Sequence, residues 1–98
     1  MKYNLESTDK FDKWFKNLRD KPTKRRVLSR LARIENGNFG DYKDLKAGLS
    51  ELKFKFGAGL RIYYTLRGEC IVLLLAGGDK SSQRLDIPAA RRVLQELE

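Results

Sequence analysis

The chain has 98 residues, 41% hydrophobic and 35% charged, with 21 Lys and Arg against 13 Asp and Glu for a formal charge of +8. That length suits one core and one domain spanning residues 1–98, and the apolar fraction argues against disorder. The chain has no histidine and a single cysteine, Cys70, which excludes an intrachain disulfide, the usual zinc sites and Ser-His or Cys-His nucleophiles built from this chain alone.

In chain order, Lys2 to Glu6 can add an edge strand. Ser7 or Thr8 caps a first helix, with Asp9 favourable in its opening turn. Phe11, Phe15 and Leu18 form its i, i+4, i+7 stripe, widened by Trp14. Lys21-Pro22 stops this helix near Asp20, because the residue before proline is disfavoured in α geometry. Pro22 suits the first turn of a second helix, whose core stripe is Val27, Leu28, Leu31 and Ile34 and which Asn36-Gly37-Asn38 ends.

The hydrophobic period then shortens to that of a strand. Tyr42 to Lys46 reads as a short strand or an extended link. Leu52, Phe54 and Phe56 alternate with Glu51, Lys53 and Lys55; past the glycines, Leu60, Ile62 and Tyr64 alternate with Arg61, Tyr63 and Thr65. This predicts strands at 50–56 and 60–67 forming a hairpin with one apolar and one basic face. With Gly57-Ala58-Gly59 as the loop, Phe54 faces Ile62, Leu52 faces Tyr64, Lys55 faces Arg61 and Lys53 faces Tyr63.

Cys70 to Ala76 is apolar on both sides, as in an interior strand under helices on one face, with Cys70 a buried thiol and Gly77-Gly78 its end. Asp79 to Ser82 forms a turn or one helical turn. Asp86 then caps a last helix with Pro88 near its start and an inward stripe of Ala90, Leu94 and Leu97; Glu96 and Glu98 oppose the dipole at its end. The expected fold is α+β: a small, mostly antiparallel sheet with an N-terminal helical hairpin and a C-terminal helix, the helices mainly against one face. Its core is drawn from Phe11, Phe15, Leu18, Val27, Leu31, Ile34, Leu52, Phe54, Ile62, Tyr64, Val72, Leu74 and Leu94.

By alternation alone, Lys53, Lys55, Arg61 and Tyr63 share one sheet face. Like charges opposite one another cost about 0.2–1 kcal/mol, so either an anion, most simply a phosphate, sits over that face or it is a solvated exterior. Arginine grips two phosphate oxygens, lysine serves as a flexible cation or proton carrier, and tyrosine can stack on a base. Lys80 follows two glycines at a strand end beside Asp79, Ser81, Ser82 and Gln83, although the GxxxxGK[ST] pattern is absent. It either joins the cluster or points into water.

Between Lys21 and Arg33 stand six basic residues and no acidic one: Lys21, Lys24, Arg25, Arg26, Arg30 and Arg33. Such a field attracts RNA, an acidic protein or an anionic surface without selecting among them, and a purely solubilising face is the alternative. Asp41 and Asp44 are best explained by loop hydrogen bonding. No apolar run resembles a signal peptide or is long enough to cross a membrane, and lone-cysteine usage points to a reducing cytoplasm.

The runs GNFGDYKDL at 37–45, SELKFKFGAGLRIYY at 50–64 and LLLAGGDKSSQRLDI at 73–87 resemble the HigB-like branch of the RelE/ParE toxin superfamily, which includes phage-derived addiction-module killer proteins. Phe11 to Phe15 and Ala89-Ala90 also fit, so the resemblance covers nearly the whole chain. It implies a RelE/ParE-like fold and the toxin of a type II toxin–antitoxin module. The implied activity is metal-independent, cofactor-free cleavage of mRNA on the ribosome.

On that resemblance Lys53, Lys55, Arg61 and Lys80 are the catalytic candidates, with Gln83 and Arg84 as RNA contacts; Tyr63 on the shared sheet face and Lys24 and Arg25 in the helical basic field are the further RNA-binding candidates. The implied partners are a cognate helix-turn-helix antitoxin, the ribosome with its mRNA, and operator DNA through the antitoxin, but no membrane. Several ribosome-dependent members carry a catalytic histidine or tyrosine near the C-terminus; nothing after Tyr64 here is either, so either Arg84 or Lys80 takes part of that role or the chemistry is less efficient. The ParE branch resembles gyrase poisons, so gyrase inhibition stays an alternative, as does noncatalytic RNA binding.

Overall fold

The computed structural model describes residues 2–97; Met1 and Glu98, the latter including its expected place at the frayed end, lie outside the described residues. The elements are β1 (Asn4–Ser7), α1 (Asp9–Lys16), α2 (Lys21–Glu35), β2 (Tyr42–Asp44), β3 (Ser50–Lys53), β4 (Arg61–Arg67), β5 (Ile71–Gly78), one 3-10 turn (Lys80–Ser82) and α3 (Gln83–Leu97). The sheet order is β1-β5-β4-β3-β2, with β1 parallel to β5 and every other pairing antiparallel. The α+β architecture expected from the sequence is the one observed.

Thr8 caps α1: its hydroxyl accepts from the Phe11 N–H and donates to the Leu75 carbonyl, pinning the helix start to β5. The helix ends earlier than expected, because Asn17 closes it by donating to Lys13 and Phe15. Asp20 is freed to cap α2, accepting from the Thr23 N–H, with Pro22 in the opening turn as predicted.

Two cores flank the sheet. On one face Phe11, Val27, Leu31 and Ile34 from α1 and α2 meet Leu52, Phe54, Leu60, Ile62, Tyr64, Val72 and Leu74. On the other, α3 brings Ala90 and Leu94 against Leu49, Tyr63, Leu73, Leu75 and Ala76. The expectation that the helices lie mainly on one face is thus corrected. A 3.6-residue stripe says that a helix is amphipathic but not which face of a doubly apolar strand it covers.

The hairpin register also differs. Leu52 pairs with Ile62, Lys53 with Arg61 and Glu51 with Tyr63, two residues away from the expected alignment. The strands stop at Lys53 and restart at Arg61, because Phe54 and Leu60 both turn into the core and join backbone to backbone at 3.1 Å. Gly57 and Gly59, both at positive φ, close the wider loop between them. Lys55 therefore sits in the loop rather than on a strand.

Cys70 lies exposed in the turn before β5 and is not a buried thiol. The strand runs on through Gly77 and Gly78 instead of ending there. A Cβ at Gly77 would overlap the Trp14 indole of α1, and one at Gly78 would overlap the Asp86 carboxylate of α3, so bare backbone is what lets both helices close in. Asp86 does not cap α3, which begins three residues earlier behind the 3-10 turn; that turn is capped by Asp79, and Asp86 accepts from the Ser82 hydroxyl.

Two arginines clamp the β2–β3 region. Arg30 of α2 donates to the carbonyls of Phe39, Asp41 and Lys53, with its guanidinium 4.8 Å from the Phe54 ring centre. Arg91 of α3 donates to the carbonyls of Leu45 and Lys46 in the connection between β2 and β3, where Lys46, Ala47 and Gly48 all have positive φ.

Candidate functional site

Lys53 at the end of β3, Lys55 in the loop, Arg61 at the start of β4 and Lys80 on the 3-10 turn line one depression of about 450 Å³, with Asp41, Phe54 and the Gly57–Gly59 backbone. Separate local causes converge here. Lys53 and Arg61 are direct cross-strand partners, an unfavourable like-charge pairing held by the sheet. The 3-10 turn docks on the loop through the Lys80 N–H and the Ala58 carbonyl, 3.4 Å apart. A Cβ at Gly59 would lie 3.3 Å from Lys80 Cβ and 3.5 Å from Arg61 Nη1, so a side chain there would crowd the two cations. The Asp79 carboxylate, accepting from the Ser81 hydroxyl and the turn's backbone, is held below its ordinary pKa and braces the turn.

Arg61 is largely enclosed, its side chain 12% exposed. Nη1 donates to the Gly59 and Leu60 carbonyls at 2.9 and 3.1 Å, and Nε faces Glu51 Oε1 at 3.9 Å. Nη2 has no hydrogen-bond partner among the described residues, and Arg61 lines the depression. The arrangement supplies one oriented guanidinium and three mobile ammonium groups around a concave surface, a set able to hold a phosphodiester and to stabilise added negative charge on it.

The remaining sequence candidates fall differently. Tyr63 is fully buried under α3, and burial together with the Glu51 and Asp86 charges pushes its phenol pKa far up; it cannot stack on a base. It was read as exposed because an alternating pattern gives the two sheet faces without saying that a helix covers the second. Gln83 is turned inward, donating to Glu51 Oε2 at 2.7 Å. Arg84 is exposed on α3 and does not line the depression. Lys24 reaches back to the Lys16 carbonyl over the Phe15 ring, and Arg25 points to solvent.

The α2 residues that do reach the site are Arg26, Ser29, Arg30 and Arg33. They line a second depression of about 400 Å³ that shares Asp41, Lys53, Phe54 and Lys55 with the first. The Arg26 guanidinium sits 4.6 Å from the Phe56 ring centre. Arg30 is spent on backbone carbonyls; its burial, with the Arg33 charge beside it, lowers its pKa. Helical spacing could have found this set, since residues 26, 30 and 33 share a face whereas 24 lies about 160° round the helix.

A larger depression of about 630 Å³ lies elsewhere on the sheet, walled by Tyr3, Phe39, Tyr42, Tyr64 and Leu66 with Asp44 and Lys46 at hand. It lacks a cluster of cations, so the chemistry for an anion belongs to the smaller one. Among the described residues no group of three or more His, Cys, Asp or Glu side chains is placed to hold a metal, and no helix is long and apolar enough to cross a membrane.

No family model matches the sequence. A protein of Haemophilus influenzae, described only as an uncharacterized protein, is 38% identical over 97 residues, covering 99% of this chain and 98% of its own length. Among solved structures, a doubly substituted mutant of the E. coli toxin RelE in the free state superposes with a TM-score of 0.73, covering 94% of this chain and 98% of its own at 15% identity. That second likeness is one of fold.

Proposed function

Because the chain belongs to the family of that Haemophilus influenzae protein and is built on the fold of the toxin RelE, we propose that residues 1–98 form a single toxin domain of the HigB-like branch, the toxin of a type II toxin–antitoxin module that cleaves mRNA on the ribosome without a metal. The observation carrying this reading is the convergence of Lys53 and Lys55, Arg61 and Lys80, from three stretches of chain, on one depression.

In the proposed reaction the RNA 2′-hydroxyl attacks the adjacent phosphorus. The P–O2′ bond forms as the P–O5′ bond breaks, leaving a 2′,3′-cyclic phosphate and a 5′-hydroxyl. Arg61 Nη2 stabilises the charge added to the non-bridging oxygens. Lys53 and Lys55 hold the phosphate as cations or, in the neutral amine form, one of them takes the 2′ proton, and Lys80 is the candidate to return a proton to O5′. Arg26 and Arg33 receive neighbouring phosphates in the adjoining depression. The ribosome supplies codon presentation and alignment that a site without histidine lacks; alignment contributes about 7–11 kcal/mol in favourable intramolecular cases. The partner is an acidic segment of a helix-turn-helix antitoxin, steered by the basic surface, in the cytoplasm.

The test is brief induction in growing cells followed by mapping of mRNA 5′ ends. Wild type is expected to cut within translated codons, Arg61→Ala to lose about 100-fold or more of the cleavage while staying folded, and Lys55→Ala to lose less. Undiminished cleavage by a folded Arg61→Ala, Lys55→Ala double mutant rejects the site. Growth arrest with DNA damage signalling and no cuts puts gyrase inhibition ahead.

A further inference from the structure

Behind Arg61, between the sheet and α3, lies a buried polar chain that the reaction above leaves unused. Glu51 is 0% exposed. Its Oε2 accepts from Gln83 Nε2 at 2.7 Å, and its Oε1 faces Arg61 Nε at 3.9 Å. Neither Glu51 Oε1 nor Arg61 Nε has a hydrogen-bond partner among the described residues, so each is the other's nearest opposite charge in a low-dielectric setting. A guanidinium is planar, and holding its Nε and Nη1 edges determines where Nη2 points. The loop carbonyls of Gly59 and Leu60 hold Nη1, and among the described residues Glu51 alone stands opposite Nε as a charge.

We propose that Glu51 is the positioning residue for Arg61, itself anchored by Gln83 at the start of α3. The Gln83–Glu51–Arg61 chain then orients the guanidinium toward a phosphate in the depression. The inference rests on reading that depression as a phosphate site. It assigns Gln83 to the back of Arg61, where its amide never meets RNA, and makes the first turn of α3 part of the machinery that sets Arg61. A purely structural role for Glu51, balancing a buried charge, predicts a change in stability without a selective change in Arg61.

The test reads Arg61 directly, through the NMR resonance of its Nε–H, identified by its loss in Arg61→Lys. Glu51→Gln keeps the shape and removes the charge. It is expected to speed solvent exchange of that proton about tenfold or more, and to lower single-turnover RNA cleavage about tenfold with RNA affinity changed much less, the pattern of a lost transition-state contact. Gln83→Ala is expected to move both readouts the same way by less, and inorganic phosphate to shift the Arg61 Nε–H signal in wild type more than in Glu51→Gln. A folded Glu51→Gln with unchanged Arg61 exchange and unchanged phosphate response overturns the proposal. If that variant does not fold, an unchanged signal in Gln83→Ala overturns it instead. Should wild type cut no RNA while the Arg61 signal still answers to phosphate and to Glu51→Gln, the positioning role stands and the ribonuclease reading falls.

Discussion

Replacing Arg30 should damage the fold far more than replacing any neighbour in the basic helix. Its guanidinium donates to three main-chain carbonyls, at 2.7 Å to Lys53 and Asp41 and at 3.0 and 3.2 Å to Phe39. The Lys53 bond, at the end of β3 and half-buried, is worth about 1.5–3 kcal/mol as a bond to a charged group. The Phe39 and Asp41 carbonyls belong to loop residues, half-buried and exposed, where water replaces the donor at a loss of about 0.5 kcal/mol each. The stacking on Phe54 adds about 1 kcal/mol. Against this, the burial that lowers the Arg30 pKa is a cost that truncation removes, which holds the net near 3 kcal/mol. For a domain of this size that is about 12–24 °C in melting temperature. Urea unfolding of wild type, Arg30→Ala, Arg30→Lys and Arg25→Ala makes the comparison. Lysine keeps the charge but cannot span three carbonyls, so Arg30→Lys should lose nearly as much as Arg30→Ala, and exposed Arg25→Ala almost nothing. The reasoning is refuted if Arg30→Lys stays within ~0.5 kcal/mol of wild type, or if Arg25→Ala costs as much as Arg30→Ala.

Two further outcomes are expected. Gly77→Ala should destabilise by about 2–3 kcal/mol, because the added methyl meets the Trp14 indole; Trp14 is the one tryptophan, so its fluorescence should shift to the red in the folded variant, and an unshifted spectrum with an unchanged melt contradicts the contact. The Tyr64 phenol, pushed up by burial to about 12 from 10.0, keeps its proton in the folded state while the unfolded chain loses it. Its contribution is therefore intact below pH 10 and lost as pH rises to about 12, with Tyr63 acting in the same direction. Denaturant stability at pH 9 and pH 11 should show this drop, and Tyr64→Phe should make it shallower.

The helices were legible because their signals are local: Thr8 and Pro22 mark starts that the backbone bears out, and Phe11, Val27, Leu31 and Ile34 are buried, although Leu28, read into the same stripe, is 53% exposed. Register was not, because a loop containing two glycines admits more than one closure and only the packing of Phe54 and Leu60 decides between them. The second sheet face was misread for a related reason. Glu51 and Tyr63 look like exterior residues until Gln83, 32 positions away from Glu51, is folded onto them. At the site, alternation alone placed Lys53 and Arg61 together. Lys24 and Arg25 were chosen from the basic field by charge, where helical angle selects Arg26 and Arg33.

The paired arginine clamps carry a consequence for how this fold can vary. Arg30 and Arg91 come from opposite layers, and between them they hold carbonyls before β2, between β2 and β3, and at the end of β3. A main-chain oxygen is present whatever side chain its residue bears. The outer rim of the sheet is thus fastened through atoms that mutation at the gripped residues does not remove, and exposed Asp41 and Lys46 can be exchanged without unfastening it, whereas Phe39 and Leu45 also pack on the cores and Lys53 also lines the cation site. Drift in rim sequence is tolerated as long as two guanidinium groups remain, so the rim can be recoloured for new contacts while the strands beneath it stay in place.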